Sequence, residues 1–386
     1  MALHGILFAV SHKIIPFITA IIGFSAVIAI HEFGHFLFCK LFGIHTPTFS
    51  IGFGPELFRR QFGSTNFRLA LIPLGGYVEI AGLVEVGQGE QEYAHETGTG
   101  SFDSKPYWQK FLVLMGGIIF NLLSAYVIFT GLFVFGTADK QAVMVAAVVK
   151  DSAAAHAGLT PGDAVTQIND IVLADQGTLI ENAEGRFLEV IRSNPNGQIT
   201  LQLRRNNEDL ALPITLGSRI NNGIEIGVLG AELRTPLPQL PFFQALVAGF
   251  SYTCKNVLLI VDSLKKFFSQ RTLEGAGGPV MILSMSFSSA QHGIIPLLFF
   301  LALMSINLAL INLLPIGALD GGQLFFATFE AIIRRRLPQV FKNGINIASW
   351  LFFIGLALLL TYRDIMHLFG SSIMALGHKL IALWPF

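Results

Sequence analysis

Charge is what this sequence has least of. Asp, Glu, Lys and Arg together make 13% of its 386 residues, about half of the ~25% found in ordinary soluble domains. With 52% hydrophobic residues, 35 Phe and a mean hydropathy of +0.61, that scarcity excludes a conventional soluble protein and indicates an integral membrane one. Neither sign of charge is in excess, with 25 basic and 25 acidic residues, which argues against nucleic acid as a partner. Cysteine is nearly absent. Cys39 and Cys254 alone cannot build a disulfide framework or a four-thiolate metal site. The stretch Met1 to Val10 lacks the basic start of a cleavable leader, so the first apolar segment reads as a retained span.

That segment, Ile14 to Phe38, is long enough to cross a bilayer, which takes ~20 apolar residues. Near its end stand His31, Glu32 and His35 in the spacing H-E-x-x-H. On a helix, residues four apart share a face, so both imidazoles can reach one cation. Glu32, beside the first of them, can take a proton from a water held there. Ionisable groups at membrane depth are costly, and so are candidates for function.

Three further spans follow, at about Phe111–Phe135, Ile294–Leu314 and Ile345–Tyr362. Between the first two spans, Phe49–Pro55 and Phe67–Ile80 read as strands in hairpins whose glycines admit a neighbouring backbone. Gly87 to Ser104 reads as loop. Asn121, in the middle of span two, requires a partner, either across a helix interface or at an active site. Span three closes with Asn307, Asn312, Pro315, Gly317 and Asp320. Such residues are tolerated at that depth only inside protein or along a wet cavity, and Asp320 is the candidate third ligand. Pro236 to Gln270 reads as an amphipathic helix on the membrane surface, and Met366 to Phe386 as an interfacial tail. Lys40, Arg59, Arg60, Arg68, Lys105 and Lys110 after span one, and Arg334, Arg335, Arg336 and Lys342 after span three, make both connections cytoplasmic. The two termini and the inserted domain are then outside, with His35 and Asp320 toward the cytoplasmic side.

The composition becomes that of a soluble domain from about Ala138 to Gly217. A strand Val143–Val149 precedes Ala157-Gly158-Leu159, Pro161-Gly162-Asp163 and a strand Val165–Asn169. A helix near Ala183 to Ser193 and strands Ile199–Arg204 and Leu210–Leu216 complete it. This order resembles a PDZ domain of the bacterial protease-associated type. Such a domain either binds a peptide by strand addition or acts as a steric gate, and the sequence leaves both open. The expected fold is an α-helical membrane protein: four transmembrane helices, membrane-associated β-hairpins and an inserted α+β PDZ-like domain. Its divisions are 1–137, 138–217, a linker with the interfacial helix at 218–293, and 294–386.

With both halves placed, the chain resembles the site-2 proteases, zinc intramembrane metalloproteases, and most of all the bacterial branch that cuts membrane anti-sigma factors. The residues that carry the likeness are His31-Glu32-Phe33-Gly34-His35, Ile72-Pro73-Leu74-Gly75-Gly76-Tyr77, and the run from Asn312 through Pro315 and Asp320 to Gly322. The resemblance implies a Zn2+ ion held by His31, His35 and Asp320, with Glu32 as the base. It also implies that Asn312, Pro315, Gly75, Gly76 and Tyr77 handle an unwound substrate strand, with Asn121 a further substrate-side candidate. Single-span membrane proteins, anti-sigma-factor-like or signal-peptide-like, are the implied substrates, and the bilayer of a bacterial inner membrane the implied location. Ile118 stands where the family usually has Pro in span two, and Gly317 replaces a second Pro before Leu319-Asp320-Gly321. Two other readings stand beside this one. A metal transporter would require a polar path through both leaflets, whereas the polar residues here cluster near one side. A non-enzymatic scaffold recruiting partners through the PDZ-like domain would leave Glu32 dispensable.

Overall fold

The structure is a computed structural model that describes residues 13–84, 91–94, 96–136, 142–149, 151–175, 178–179, 183–205, 208–221, 224–234, 237–270 and 277–382. The expectations for Met1–Val10, for Pro236 and for parts of the 87–104 loop, the 138–141 stretch and the C-terminal tail lie outside the described residues. The chain divides into two units, one of residues 1–129 with 249–386 and the other of residues 130–248.

The first unit is built around α1 (Ile15–Leu41), which carries Pro16 in its first turn, where a missing N–H is harmless, and Lys40 in its last, where the helix dipole favours it. A hairpin of β1 (Thr48–Phe62) and β2 (Thr65–Glu79) follows. The first residues of β1 are paired on both sides. Thr48–Ile51 lies against Asn66–Leu69 on one side and against Gly76–Glu79 on the other. The end of β2 has therefore turned back to form an outer strand, past Pro73, which has no N–H for a central ladder.

The next helix, α2 (Tyr107–Phe135), runs antiparallel to α1. Gly34 faces Gly116, and His31, nearer the start of α1, faces Asn121, further along α2. The close approach is a matter of missing side chains, since a Cβ on Gly34 would meet the Gly116 carbonyl.

Further along the chain come α3 (Phe242–Gln270), α4 (Pro279–Gln291), α5 (Ile294–Asn312), α6 (Asp320–Ile333) and α7 (Gln339–Ala382). Helix α5 runs parallel to α1, because Gly23 touches Leu301 while His31, further along, touches Asn312. Val27, Leu297, Phe300 and Leu301 form the core between them.

Among the described residues, five helices, α1, α2, α3, α5 and α7, are long and apolar enough to cross a membrane. This count includes α3, which its amphipathic pattern had placed on the surface. Span three ends at Asn312 rather than running on to Asp320. Pro315 cannot continue the helix and biases the residue before it away from helical angles, so Asp320 opens a separate helix. Span four and the expected interfacial tail are one continuous helix of 44 residues. Asp364, just past the expected end of span four at Tyr362, is buried and accepts the N–H groups of Gly278 (3.1 Å) and Met281 (2.8 Å) at the start of α4. It caps a neighbouring helix instead of ending its own.

In the second unit, strands β3 (Val143–Val148), β4 (Ala164–Ile168), β5 (Ile171–Val172), β6 (Gln198–Arg205), β7 (Glu208–Thr215) and β8 (Ala231–Arg234) make one sheet in the order β8-β3-β4-β6-β7, with β5 beside β4. The helix Ala183–Ser193 buries Phe187 and Ile191 in a core with Val165, Ile168, Leu201 and Ile214. Residues after Gly217, expected as a linker, belong to this unit. Gly217–Asn221 and Ile224–Val228 form a hairpin, and β8 then pairs antiparallel with β3, covering an edge that would otherwise be open. Inside the unit, Asp163 is buried against the Arg205 guanidinium, with Nε–Oδ1 and Nη2–Oδ2 both 2.7 Å.

Candidate active site

Three ligand-type atoms meet at the C-terminal part of α1. His31 Nε2 lies 3.1 Å and His35 Nε2 3.4 Å from Asp320 Oδ2, and the two nitrogens are 3.2 Å apart. The helix supplies both rings from one face, and the break after α5 brings Asp320 across to them. Four donors around zinc at ~2.0–2.1 Å stand ~3.4 Å from one another in a tetrahedron, so this triangle fits the face of one. Two imidazoles and a carboxylate, with room for one further oxygen, are also the donor set of a catalytic rather than a structural zinc.

The orientation of the rings comes from α2. His35 Nδ1 donates to the Val113 carbonyl at 2.8 Å, which leaves its Nε2 lone pair facing Asp320. One helical turn further along, Gly117 gives the rings their space. A Cβ there would lie 2.5 Å from His31 Cε1 and 2.7 Å from its Nδ1, and closer still to His35 Nε2. A second turn on, the Asn121 amide is 3.2 Å from His31 Nδ1.

Glu32 points elsewhere. Its Oε2 accepts the Val78 N–H of β2 at 3.1 Å, which fixes the carboxylate beside the triad without joining it. A cavity of about 330 Å³ opens onto these groups, lined by Ile28, Phe53, Gly75, Gly76, Leu308, Asn312, Gln323 and Trp350 together with His31, Glu32, His35 and Asp320.

Of the sequence candidates, His31, Glu32, His35, Asp320, Asn312, Gly75 and Gly76 thus share one cavity. Asn312 lies with its amide nitrogen 3.2 Å from His31 Nε2. Tyr77 is buried and stacks on Phe53, at a centroid distance of 6.3 Å, rather than lining the cavity. Pro315 is exposed in the turn between α5 and α6. Asn121 is fully buried behind His31, away from the cavity where a substrate would lie. Sequence reasoning missed Val78, Val113, Gly117, Gln323 and Trp350. The first two act through their backbone and give no side-chain signal. Gly117 could have been found, since it stands one turn before Asn121 and is where the two histidines must pack.

The model for peptidase family M50 matches residues 19–357, nearly all of the chain and both halves of the site. The chain belongs to peptidase family M50. Among curated proteins it is 32% identical over 354 residues to one from Clostridium perfringens bearing the name zinc metalloprotease, covering 90% of this chain and 98% of that one. A Helicobacter pylori protein of the same designation is 32% identical over 368 residues, covering 91% and 99%. The chloroplastic membrane metalloprotease ARASP of Arabidopsis thaliana is 31% identical over 363 residues, covering 90% and 78%. Among solved structures, the PDZ domain of an SdrC-like protein from Listeria monocytogenes aligns with 25% of this chain and 90% of its own, at 21% identity and a TM-score of 0.20, a superposition too loose to bear on the fold. As a member of family M50, the site-2 protease family, the chain is a zinc metalloprotease of the membrane, and regulated intramembrane proteolysis is that family's general role.

Proposed function

We propose that this chain hydrolyses a peptide bond inside the transmembrane segment of single-span membrane proteins, anti-sigma-factor-like or signal-peptide-like, in a bacterial inner membrane. The observation that carries the reading is where the site stands. His31, Glu32 and His35 lie within a helix long and apolar enough to span, and Asp320 opens the helix that follows the break after another.

His31, His35 and Asp320 would hold the zinc, which when bound would supply Lewis-acid chemistry toward a carbonyl and a water. Glu32, steadied by the Val78 N–H, takes the proton of the attacking water and delivers it to the leaving amine. A cavity of about 330 Å³ suits an extended strand, whereas an intact helix is ~10–12 Å across and has its carbonyls engaged. The outer strand Gly76–Glu79 supports strand addition. Val78 directs its N–H toward Glu32, and Gly76, two residues away, shares that side of the strand.

Helix directions support four spans with α3 on the surface. Helices α1 and α5 are parallel and α2 is antiparallel to α1, so α1 and α5 cross in the same sense. Between the end of α2 and the start of α5 the chain must then cross an even number of times. Helix α4, with 13 residues, spans ~20 Å and falls short of the ~30 Å hydrocarbon core, so α3 as a lone crossing would break the parity.

The test is cleavage of a single-span reporter by the purified full chain in detergent, wild type against Glu32→Gln, with zinc quantified in both. Cleavage by wild type alone, with zinc retained in the variant, is the expected result. Zinc absent from well-folded wild type would overturn the mechanism.

A further inference from the structure

The two histidines are held from behind in different ways. His35 Nδ1 faces a backbone carbonyl, that of Val113, which can only accept, so its tautomer is fixed. His31 Nδ1 faces the side-chain amide of Asn121, which can donate or accept depending on its orientation. With the amide nitrogen toward the ring, Nδ1 accepts and His31 must carry its proton on Nε2, the atom aimed at Asp320. In that orientation Asn121 Oδ1 is also buried without a hydrogen-bond partner among the described residues. With the amide turned over, Oδ1 accepts from Nδ1–H and the Nε2 lone pair is free. Either orientation leaves one end of the amide unpaired, so the choice falls to the Nε2 side. There His35 Nε2 at 3.2 Å and Asp320 Oδ2 at 3.1 Å converge on one point, and a cation at that point requires a lone pair from each ring.

We propose that Asn121 is a positioning residue for the metal. Its amide oxygen holds His31 as the Nδ1–H tautomer. Val113, Gly117 and Asn121, spaced four residues apart along α2, then form one stripe that turns both Nε2 atoms toward the ion. The role expected for Asn121 from the sequence, on the substrate side, is replaced by one behind the ligand. The inference rests on the zinc reading above, and predicts something that reading does not: zinc affinity depends on an acceptor at position 121.

The experiment compares full-length wild type, Asn121→Asp and Asn121→Leu in detergent. Zinc affinity is measured by competition with a chelator, and the visible spectrum is recorded after Co2+ substitution. The Asn121→Asp change keeps an acceptor at the same atom, and Asn121→Leu removes it at similar volume. The expected result is a ~10–100-fold loss of zinc affinity in the Asn121→Leu variant, as for other partners of metal-bound histidines, with an altered Co2+ spectrum. The Asn121→Asp variant is expected to hold zinc at least as tightly as wild type. Since a leucine can disturb packing at a fully buried polar position, the Asn121→Asp variant is the independent arm. Loss of zinc from an Asn121→Asp variant that folds normally would overturn the proposal. So would an Asn121→Leu variant with wild-type zinc affinity and a defect confined to KM or kcat for a reporter, which would return Asn121 to the substrate side. Failure of wild type to hold zinc would overturn both this proposal and the reading beneath it, and is separable from either outcome.

Discussion

Three oxygen- or nitrogen-bearing side chains on neighbouring turns of α1 and α6 face one point, while Glu32, adjacent in sequence to His31, is drawn off to β2 by the Val78 N–H. In the proposed mechanism that division separates holding an ion from moving a proton, and it can be tested at Asp320. Replacing Asp320 with Asn keeps an oxygen in place but removes its charge. Zinc affinity measured by chelator competition is expected to fall by more than ~100-fold, because losing an anionic ligand must cost more than losing a partner behind one. Retained affinity would show that the histidines bind without it. The grouping of His31, His35 and Asp320 could be read from the sequence because each acts through a side chain that is expensive at membrane depth. The supports could not. Val78 and Val113 contribute an N–H and a carbonyl that any residue type would offer, so only the fold reveals them.

At the scale of elements, α2 behaves as a wall against which the imidazoles are pressed, and Gly117 is where the wall must be flat. Gly117→Ala would put a methyl group within 2.5 Å of His31 Cε1. Helix propensity favours the substitution by about 1 kcal/mol, but overpacking costs typically ~1–3 kcal/mol, concentrated here on both histidines. The expected outcome is a helix that stays formed and a site that loses zinc, checked by circular dichroism alongside metal analysis. Unchanged zinc content would mean that the rings do not rest on α2. Hydrophobic runs made the spans themselves legible, but not their joints. The joint at Asp364 leaves no sign in the sequence, since no local pattern shows that a carboxylate caps a helix 86 residues away. Strand β8 was read as linker because four residues of edge strand carry too little periodicity to be seen alone. The second unit has its own ion pair to test. Burial pushes the Asp163 carboxyl up, but the Arg205 guanidinium and the N–H and hydroxyl of Thr160 outweigh it and hold it below the usual carboxylate range. A depressed native value stabilises the fold fully above the unfolded value of ~3.9, and the contribution is lost as pH falls through the native one. Arg205→Met should lower the stability of this unit by roughly 1–3 kcal/mol near neutral pH and flatten its acid dependence, with zinc content unchanged. An unfolding midpoint identical to wild type at pH 7 would rule the pair out as a support.

Across the whole molecule the decisive constraint is parity. Hydropathy offers five spanning helices among the described residues, but a site assembled from the parallel helices α1 and α5 needs an even number of crossings between them in addition to α2's own return. Thiol labelling with a membrane-impermeant reagent reads this directly. With Cys39 and Cys254 replaced by Ala and Ser, single cysteines at Glu208, His292 and Arg335 report on the second unit, the turn before α5 and the basic loop after α6. Four spans with α3 on the surface predict that Glu208→Cys and His292→Cys react in intact cells, and that Arg335→Cys reacts only after the membrane is opened. If α3 crosses, the pattern inverts, with His292→Cys protected and Arg335→Cys reactive in intact cells. Helix α5 would then run the other way, Asp320 would emerge on the face opposite His35, and the 3.4 Å approach of His35 to Asp320 could not form. The labelling pattern at position 292 therefore tests the metal centre from the outside, without touching any residue that builds it.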